Sequence, residues 1–298
     1  MIDFKEIELK DKEWVDECLR QANFQGCEYS FTSNYIWRSI YHPKIAKVEG
    51  MYCLRSEYHG RYSYCYPAGQ GDIKKVITLL LEDAKELGIS FRMHGITEDL
   101  IEQLEEWFPG VFQFETNRDD SDYIYTVEKL STLAGKKLHG KRNHINRFKD
   151  TDDWQYYDVT AENVQECIEM NREWLARYLT EEDTGLKDEA VAVNEILEHF
   201  VELKVKGGIL KREGRVVAYT IGEPITNDTY VIHIEKAFYE VQGAYPMINQ
   251  QFVLHNCQDY KYVNREEDTG DEGLRKAKLS YYPDILLNKY VATLKESE

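Results

Sequence analysis

The sequence predicts an α+β protein of two domains, each with a mostly antiparallel sheet and flanking helices. The length of 298 residues exceeds that of a typical single domain and favours two domains of about 150 residues each. Short alternating strands separated by turns occur in both halves, with amphipathic helices between them. A basic stretch near the midpoint marks the division. We therefore predict domains at 1–134 and 135–298.

The first half opens with a strand and a helix. Residues 4–9 alternate in polarity, and Asp11 precedes a stretch with helical spacing of apolar residues. Turn residues then separate three short strands, as expected for an antiparallel meander. These strands are predicted at 45–48, 51–55 and 62–66. Helices at 72–87 and 97–108 and strands at 89–93, 112–115 and 123–127 follow.

The second half follows the same plan. A strand at 155–159 precedes a helix capped by Thr160 and a second helix around 193–205. Three antiparallel strands follow, at 208–212, 216–222 and 229–235. The half ends with a helix at 246–255 that starts near Pro246, a strand at 262–264, a helix at 272–280 and a strand at 285–291. This order of elements is that of the GNAT acyltransferase fold. We predict two GNAT-like, that is acyl-CoA N-acyltransferase-like, domains in tandem.

Composition narrows the class of protein. The formal net charge is -17, which argues against broad binding to duplex DNA, because such binding depends on neutralising many phosphates. No apolar run is long enough to span a bilayer and the start lacks a signal-peptide core, so we expect a cytoplasmic protein without a transmembrane segment. The six cysteines form no C-x-x-C pair, so we expect free thiols and no metal site.

The basic stretch at 135–149 reverses the charge of the chain locally. It contains six cations and no acid: Lys136, Lys137, Lys141, Arg142, Arg147 and Lys149. Either a solvated helix or a binding segment would explain it. Asn143, His144 and Asn146 add polar donors, and Ile145 and Phe148 at i, i+3 supply an apolar side. We expect a docked helix whose polar face binds an anion.

Four stretches carry a family resemblance: residues 122–125, 136–148, 235–237 and 264–279, the second and fourth being the more specific. Over nearly its whole length the chain resembles bacterial proteins related to the C-terminal domain of phosphatidylglycerol lysyltransferases. Relatives of that family move an amino acid from aminoacyl-tRNA to a lipid head group or, in Fem-type enzymes, to a peptidoglycan precursor. The resemblance implies an aminoacyl- or acyltransferase acting on an amine or hydroxyl of a small molecule or lipid head group, with the acceptor end of tRNA as partner.

Site residues follow from the resemblance and from side-chain chemistry. Acyl transfer needs a proton acceptor and donors for the oxyanion and phosphates. The expected catalytic residues are Glu235, Lys236 and Asp268. Donor phosphates are assigned to Lys141, Arg142, Asn143, Asn146 and Arg147. The acceptor side and further anion contacts are assigned to Asn264, Arg265, Lys276 and Lys278.

Each assignment has a simpler alternative. Glu235 and Lys236 also fit an ordinary charged pair at a strand end, and the acids around Asp268 also fit a solvated loop. His233 fits a buried core histidine, and the residues at 281–283 fit packing. At the protein level, the alternatives are an acyl-CoA N-acetyltransferase and a non-catalytic binding protein, and the first domain fits a purely structural half.

Acyl-CoA is the weaker donor candidate because of one loop. GNAT enzymes hold the CoA pyrophosphate on backbone N–H groups before a helix. Here Gln242, Gly243 and Ala244 form a shortened version of that loop, Pro246 lacks an N–H, and Glu240 adds a negative charge.

Overall fold

The computed structural model describes residues 1–150 and 153–295, and these form two seven-stranded sheets with flanking helices. The predicted α+β class with mostly antiparallel sheets is confirmed. The chain divides into two compact units. The first comprises the described residues of Met1–Tyr123, Glu266–Lys276 and Leu286–Glu298, and the second those of Ile124–Arg265 and Ala277–Ile285.

The elements up to residue 116 belong to the first unit. Its strands are β1 (Lys5–Glu6), β2 (Lys44–Val48), β3 (Met51–Tyr58), β4 (Arg61–Cys65), β5 (Arg92–Ile96) and β6 (Phe112–Thr116). Its helices are α1 (Lys12–Ala22), α2 (Phe31–Ile36), α3 (Arg38–Tyr41), α4 (Ile73–Leu87) and α5 (Glu98–Trp107).

The remaining strands are β7 (Asp122–Thr126), β8 (Trp154–Asp158), β9 (Lys206–Arg212), β10 (Arg215–Pro224), β11 (Thr229–Ala237), β12 (Tyr262–Asn264), β13 (Ile285–Leu287) and β14 (Tyr290–Leu294). The remaining helices are α6 (Val127–Thr132), α7 (His139–Lys149), α8 (Val164–Tyr178), α9 (Thr184–Glu198), α10 (Ala244–Asn256) and α11 (Glu272–Leu279). No described helix is long and apolar enough to cross a membrane.

Local sequence signals fix the ends of the helix predicted at 72–87. Helix α4 begins where the Asp72 carboxylate accepts the Lys75 N–H at 2.9 Å, and it ends at Gly88, whose φ of 67° is left-handed. One face of α4 is buried in the core of the first unit, with Val76, Ile77 and Leu80 fully enclosed. The apolar periodicity read from the sequence therefore identifies the packed face.

The two sheets share one arrangement. The strand order is β1-β2-β3-β4-β5-β14-β6 in the first and β8-β9-β10-β11-β12-β7-β13 in the second. The fourth and fifth strands of each pair in parallel, β4 with β5 and β11 with β12. The sixth strand of each sheet comes from the other half of the sequence. A single cut between residues 134 and 135 therefore does not reproduce the compact units, because the order of elements does not reveal long-range strand pairing.

Candidate active site

The candidate site starts from an irregularity in β11. Ile221 of β10 pairs with Ile234, whereas the next residue of β10 pairs with Ile232. The register thus skips His233 and forms a β-bulge. A bulge bends its strand and re-aims the side chains that follow. Glu235 is the second residue beyond this bulge.

The parallel edge of β11 then opens. Pairing between β11 and β12 covers residues 229–231 and 262–264, and the register of the described residues goes no further. Glu235 and Arg265 both lie past that pairing. Arg265 Nη2 donates to Glu235 Oε1 at 2.8 Å, so this ion pair spans the gap between the diverging strands. Each side chain is 11% exposed.

Helix α10 supplies the second partner of the carboxylate. Asn249 Nδ2 donates to Glu235 Oε2 at 2.8 Å. Because the amide nitrogen faces the carboxylate, Asn249 Oδ1 points away from it, and this buried oxygen accepts no hydrogen bond from the described residues. Arg265 Nη1 is likewise buried without an acceptor there. Unmet hydrogen-bonding groups of this kind are rare in folded proteins and mark a site of function or strain.

A second cation completes the cluster. Lys141 Nζ lies 4.0 Å from the centroid of the Tyr281 ring, and Arg265 Cζ lies 4.9 Å from the same centroid. Lys141 is half-buried, and no described carboxylate lies within ion-pair distance of it. Burial, and then the charge of Arg265, lower the pKa of Lys141 to about 8, with Glu235 acting in the opposite direction. We call Lys141, Glu235, Asn249, Arg265 and Tyr281 the second-unit cluster.

A family model described as phosphatidylglycerol lysyltransferase, C-terminal, matches residues 19–293. The chain belongs to this family. The resemblance inferred from the sequence is thereby confirmed.

Individual proteins extend this result. A conserved protein of unknown function from Bacteroides thetaiotaomicron is 39% identical, with a TM-score of 0.95 over 99% of this chain and 100% of that chain. L-PGS from Bacillus licheniformis has a TM-score of 0.69 at 18% identity, over 100% and 95% of the two chains, a likeness of fold. An uncharacterised protein of Mycoplasmoides gallisepticum is 21% identical over 196 residues, 62% of this chain and 60% of that protein. The chain thus spans about three fifths of that relative. The likeness to L-PGS agrees with the predicted α+β fold class of two mostly antiparallel sheets with flanking helices.

Lys236 does not join Glu235. Successive strand residues face opposite sides of a sheet. Lys236 Nζ donates to Glu189 Oε2 at 2.7 Å and lies 4.0 Å from the centroid of the Trp174 ring, on the side of α8 and α9. Lys236 is therefore a buried ion-pair residue on the face of the sheet opposite to Glu235, and its predicted catalytic role stays a prediction.

Asp268 belongs to the first unit and is fully engaged. Its carboxylate accepts from Arg275 Nε at 2.9 Å, from Arg275 Nη2 at 2.7 Å, from the Gly270 N–H at 3.0 Å and from the Tyr123 hydroxyl. Burial alone would raise its pKa, but these hydrogen bonds hold the pKa of Asp268 well below its usual range. Such a carboxylate stabilises structure and is a poor proton acceptor. The catalytic role of Asp268 stays a prediction.

Helix α7 docks as predicted, but its polar residues divide into separate roles. Ile145 and Phe148 are buried, which confirms the apolar side. Arg142 donates to the carbonyl of Leu133 and, at 2.7 Å, to that of Gly135, so it holds the start of the helix. Asn143, Asn146 and Arg147 are exposed, so their predicted role in binding donor phosphates stays a prediction.

The other predicted anion contacts are dispersed. Asn264 is fully buried at the end of β12. Lys278 Nζ donates to the Arg265 carbonyl at 2.6 Å and so supports the segment that carries the guanidinium. Lys276 is exposed and lies in the first unit.

Sequence reasoning missed Asn249 and assigned Tyr281 to packing alone. Asn249 lies inside α10 among buried apolar residues, and only the packing of that helix reveals its partner. His233 is buried with Nε2 3.2 Å from Glu223 Oε1, as expected for a core histidine.

One group of metal-ligand types occurs among the described residues, in the first unit. Ligand atoms of Cys27, Asp122 and Glu267 lie within 4.8 Å of one another. Lys289 Nζ lies among them, 2.9 Å from Asp122 and 3.6 Å from both Glu267 and Cys27. Glu28 is 3.3 Å from the same nitrogen. The Lys289 ammonium is therefore the shared ion-pair partner of these three carboxylates. We call these five residues the first-unit cluster.

Proposed function

We propose that the chain moves an aminoacyl group from aminoacyl-tRNA to an amine or hydroxyl acceptor, and that the reaction takes place at the second-unit cluster. The observation that carries the proposal is Lys141, a half-buried cation with no ion-pair partner among the described residues, beside a second cation, Arg265. Two cations against the single carboxylate of Glu235 leave a positive surplus. A developing oxyanion or a phosphate would offset it.

The chemistry assigns a role to each group. The acceptor nitrogen or oxygen bonds to the ester carbonyl carbon, and the bond from that carbon to the ribose oxygen breaks. Glu235 takes the proton that the acceptor loses, and Lys141 gives a proton to the ribose oxygen. Its pKa of about 8 makes Lys141 a better proton donor than an ordinary lysine. Arg265 stabilises the oxyanion, and proton transfer from Glu235 to Lys141 restores the starting state.

The exposed face of α7 suits the nucleic-acid part of such a donor. Four exposed cations at this helix and just before it have no carboxylate partner among the described residues: Lys136, Lys137, Arg147 and Lys149. In a chain of net charge -17 they form a local basic surface, and phosphate contacts by such cations position a nucleic acid without reading its sequence. We assign this surface to the tRNA backbone.

Binding measurements test the donor. Charged and uncharged tRNA would be titrated at two salt concentrations against the wild type and Arg147→Ala/Lys149→Ala, with Arg61→Ala/Lys85→Ala in the first unit as a charge-matched control. We expect preference for charged tRNA, weaker binding by the α7 variant and a salt slope reduced by about 1 per removed cation. Binding of neither tRNA at low salt would overturn the donor assignment, and a CoA titration would then test the acyl-CoA alternative.

A further inference from the structure

The loop between β11 and α10 presents an aromatic ring to solvent. Tyr239 is 62% exposed, although its ring centroid lies 4.5 Å from that of Tyr178, 5.8 Å from that of Tyr245 and 6.0 Å from that of Trp174. The Tyr239 and Tyr245 rings are stacked, with an interplanar angle of 30°. Tyr239 is therefore packed on its inner side and open on its outer side.

Hydrogen bonds hold the backbone that carries this ring, and the neighbouring rings pack against its side chain. The Tyr239 N–H donates to the Tyr178 hydroxyl at 3.2 Å, and that hydroxyl donates to Glu240. Glu240 is also paired with Arg177, so the negative charge expected to repel a phosphate at this loop is compensated. A ring that is already ordered loses little conformational entropy when a ligand covers it.

The ring is linked to the second-unit cluster through Tyr245 of α10. Tyr239 follows Glu235 by four residues along the chain. Its stacking partner Tyr245 is at i, i+4 to Asn249, so the two share one face of α10, and Asn249 binds Glu235. A molecule reacting at Glu235 could thus extend across the loop to Tyr239.

We propose that the outer face of Tyr239 stacks an unpaired nucleobase, the terminal base of the RNA that carries the aminoacyl group; this inference rests on the proposed function. Tyr178 and Tyr245 are half-buried and polar residues flank the loop, so the exposed aromatic area amounts to about one ring. That area matches one base and is far below the roughly 800 Å² per partner that a stable protein interface buries. Stacking on an aromatic side chain also does not depend on the identity of the base, so it suits an RNA donor that is recognised at its 3′ end.

The test uses an RNA hairpin with a single-stranded 3′ end whose last base is 2-aminopurine, a fluorophore quenched by stacking. We expect quenching by the wild type and by Tyr239→Phe, and loss of quenching with about 5- to 150-fold weaker binding for Tyr239→Ala. Tyr157→Ala, at another exposed tyrosine of the second unit (41% exposed), is the matched control and should behave as wild type. Thermal melts of all variants confirm folding.

The outcomes separate this inference from the proposed function. If Tyr239→Ala binds and quenches like the wild type while charged tRNA remains preferred, the stacking inference is overturned and the transferase proposal stands. If no hairpin or tRNA binds but CoA does, with an affinity that falls in Tyr239→Ala, the ring stacks the adenine of a CoA donor, and both the RNA assignment and the proposed donor are wrong.

Discussion

Each compact unit holds a group of buried charges, and the two groups have opposite balance. In the first-unit cluster, one ammonium, Lys289, lies between the carboxylates of Glu28, Asp122 and Glu267. In the second-unit cluster, one carboxylate lies beside two cations, and no carboxylate of the described residues pairs with Lys141. In the first cluster each carboxylate lies within 3.6 Å of the Lys289 ammonium. In the second, Lys141 has no such partner among the described residues and is available to pair with a ligand's negative charge, so buried charges serve structure in one unit and are available for chemistry in the other.

The sheets reinforce this contrast. The parallel pair of the first unit, β4 and β5, brings together Cys65 and His94, and its neighbouring residues are buried tyrosines and core apolar groups. The parallel pair of the second unit opens beside Glu235 and Arg265. The same strand arrangement therefore provides a filled core in one unit and a polar gap in the other. A purely structural first unit stays a prediction.

The largest expected effect is on the first-unit cluster. Lys289→Met keeps a long apolar side chain but leaves one buried and two half-buried carboxylates, Asp122, Glu28 and Glu267, without their cation. We expect a loss of about 3–5 kcal/mol in the free energy of unfolding, measured by urea denaturation. Lys295→Met, at an exposed lysine of the same segment, should change it by less than about 0.5 kcal/mol. A small effect at Lys289 would show that its cluster is not a closed structural unit.

Much of the fold can be predicted from the sequence, because the signals that set helix ends and buried faces are local. The Asp72 cap, the Gly88 stop and the apolar side of α7 are each set by residues within one or two helical turns. The candidate site can be predicted from the sequence only in part. Glu235, Arg265 and Lys141 belong to separate motifs, and their convergence depends on a bulge and on strand divergence that no local pattern encodes. The sequence also does not show which face of the sheet Lys236 occupies or which groups bind Asp268, because both depend on tertiary structure.

Titration of Lys141 tests the difference between the two clusters from the side of the second unit. Its folded pKa of about 8 lies below the ordinary 10.5, so the folded chain resists protonation and stability should rise between pH 8 and 10.5. Competitive amine labelling, referenced to N-acetyl-lysine, should give an apparent pKa near 8. Arg265→Gln should raise that pKa and Glu235→Gln should lower it. An apparent pKa of about 10.5 in the wild type would mean that the amine is fully solvated.

His94 provides a corresponding test in the first unit. Burial, and then the charges of Lys289 and Arg92, lower the pKa of His94 to about 4. In the unfolded chain this histidine binds a proton near pH 6.5. The stability that the neutral His94 side chain contributes is therefore complete above pH 6.5 and is lost as the pH falls from 6.5 to 4. His94→Gln should therefore lose less stability than the wild type between pH 7 and pH 5, measured by urea denaturation. Identical pH dependence would contradict the assignment.

The smallest expected effect on stability is at α7. Arg147 and Lys149 are exposed and make no ion pair with described residues, so Arg147→Ala/Lys149→Ala should change the free energy of unfolding by less than about 0.5 kcal/mol. Thermal and urea melts check this. A larger loss would indicate a structural role and would remove the variant as a clean probe of tRNA binding.

The most direct test compares one carboxylate from each cluster. Single-turnover loss of label from charged tRNA would be measured for the wild type, Glu235→Gln and Glu267→Gln. The first pair tried would be lysyl-tRNA with phosphatidylglycerol vesicles, followed by other charged tRNAs with small amines and alcohols. We predict that Glu235→Gln slows transfer by about 10²- to 10⁴-fold, whereas folded Glu267→Gln retains the wild-type rate. Equal rates for Glu235→Gln and the wild type, or no transfer by the wild type with any pair, would contradict the assignment of catalysis to the second-unit cluster.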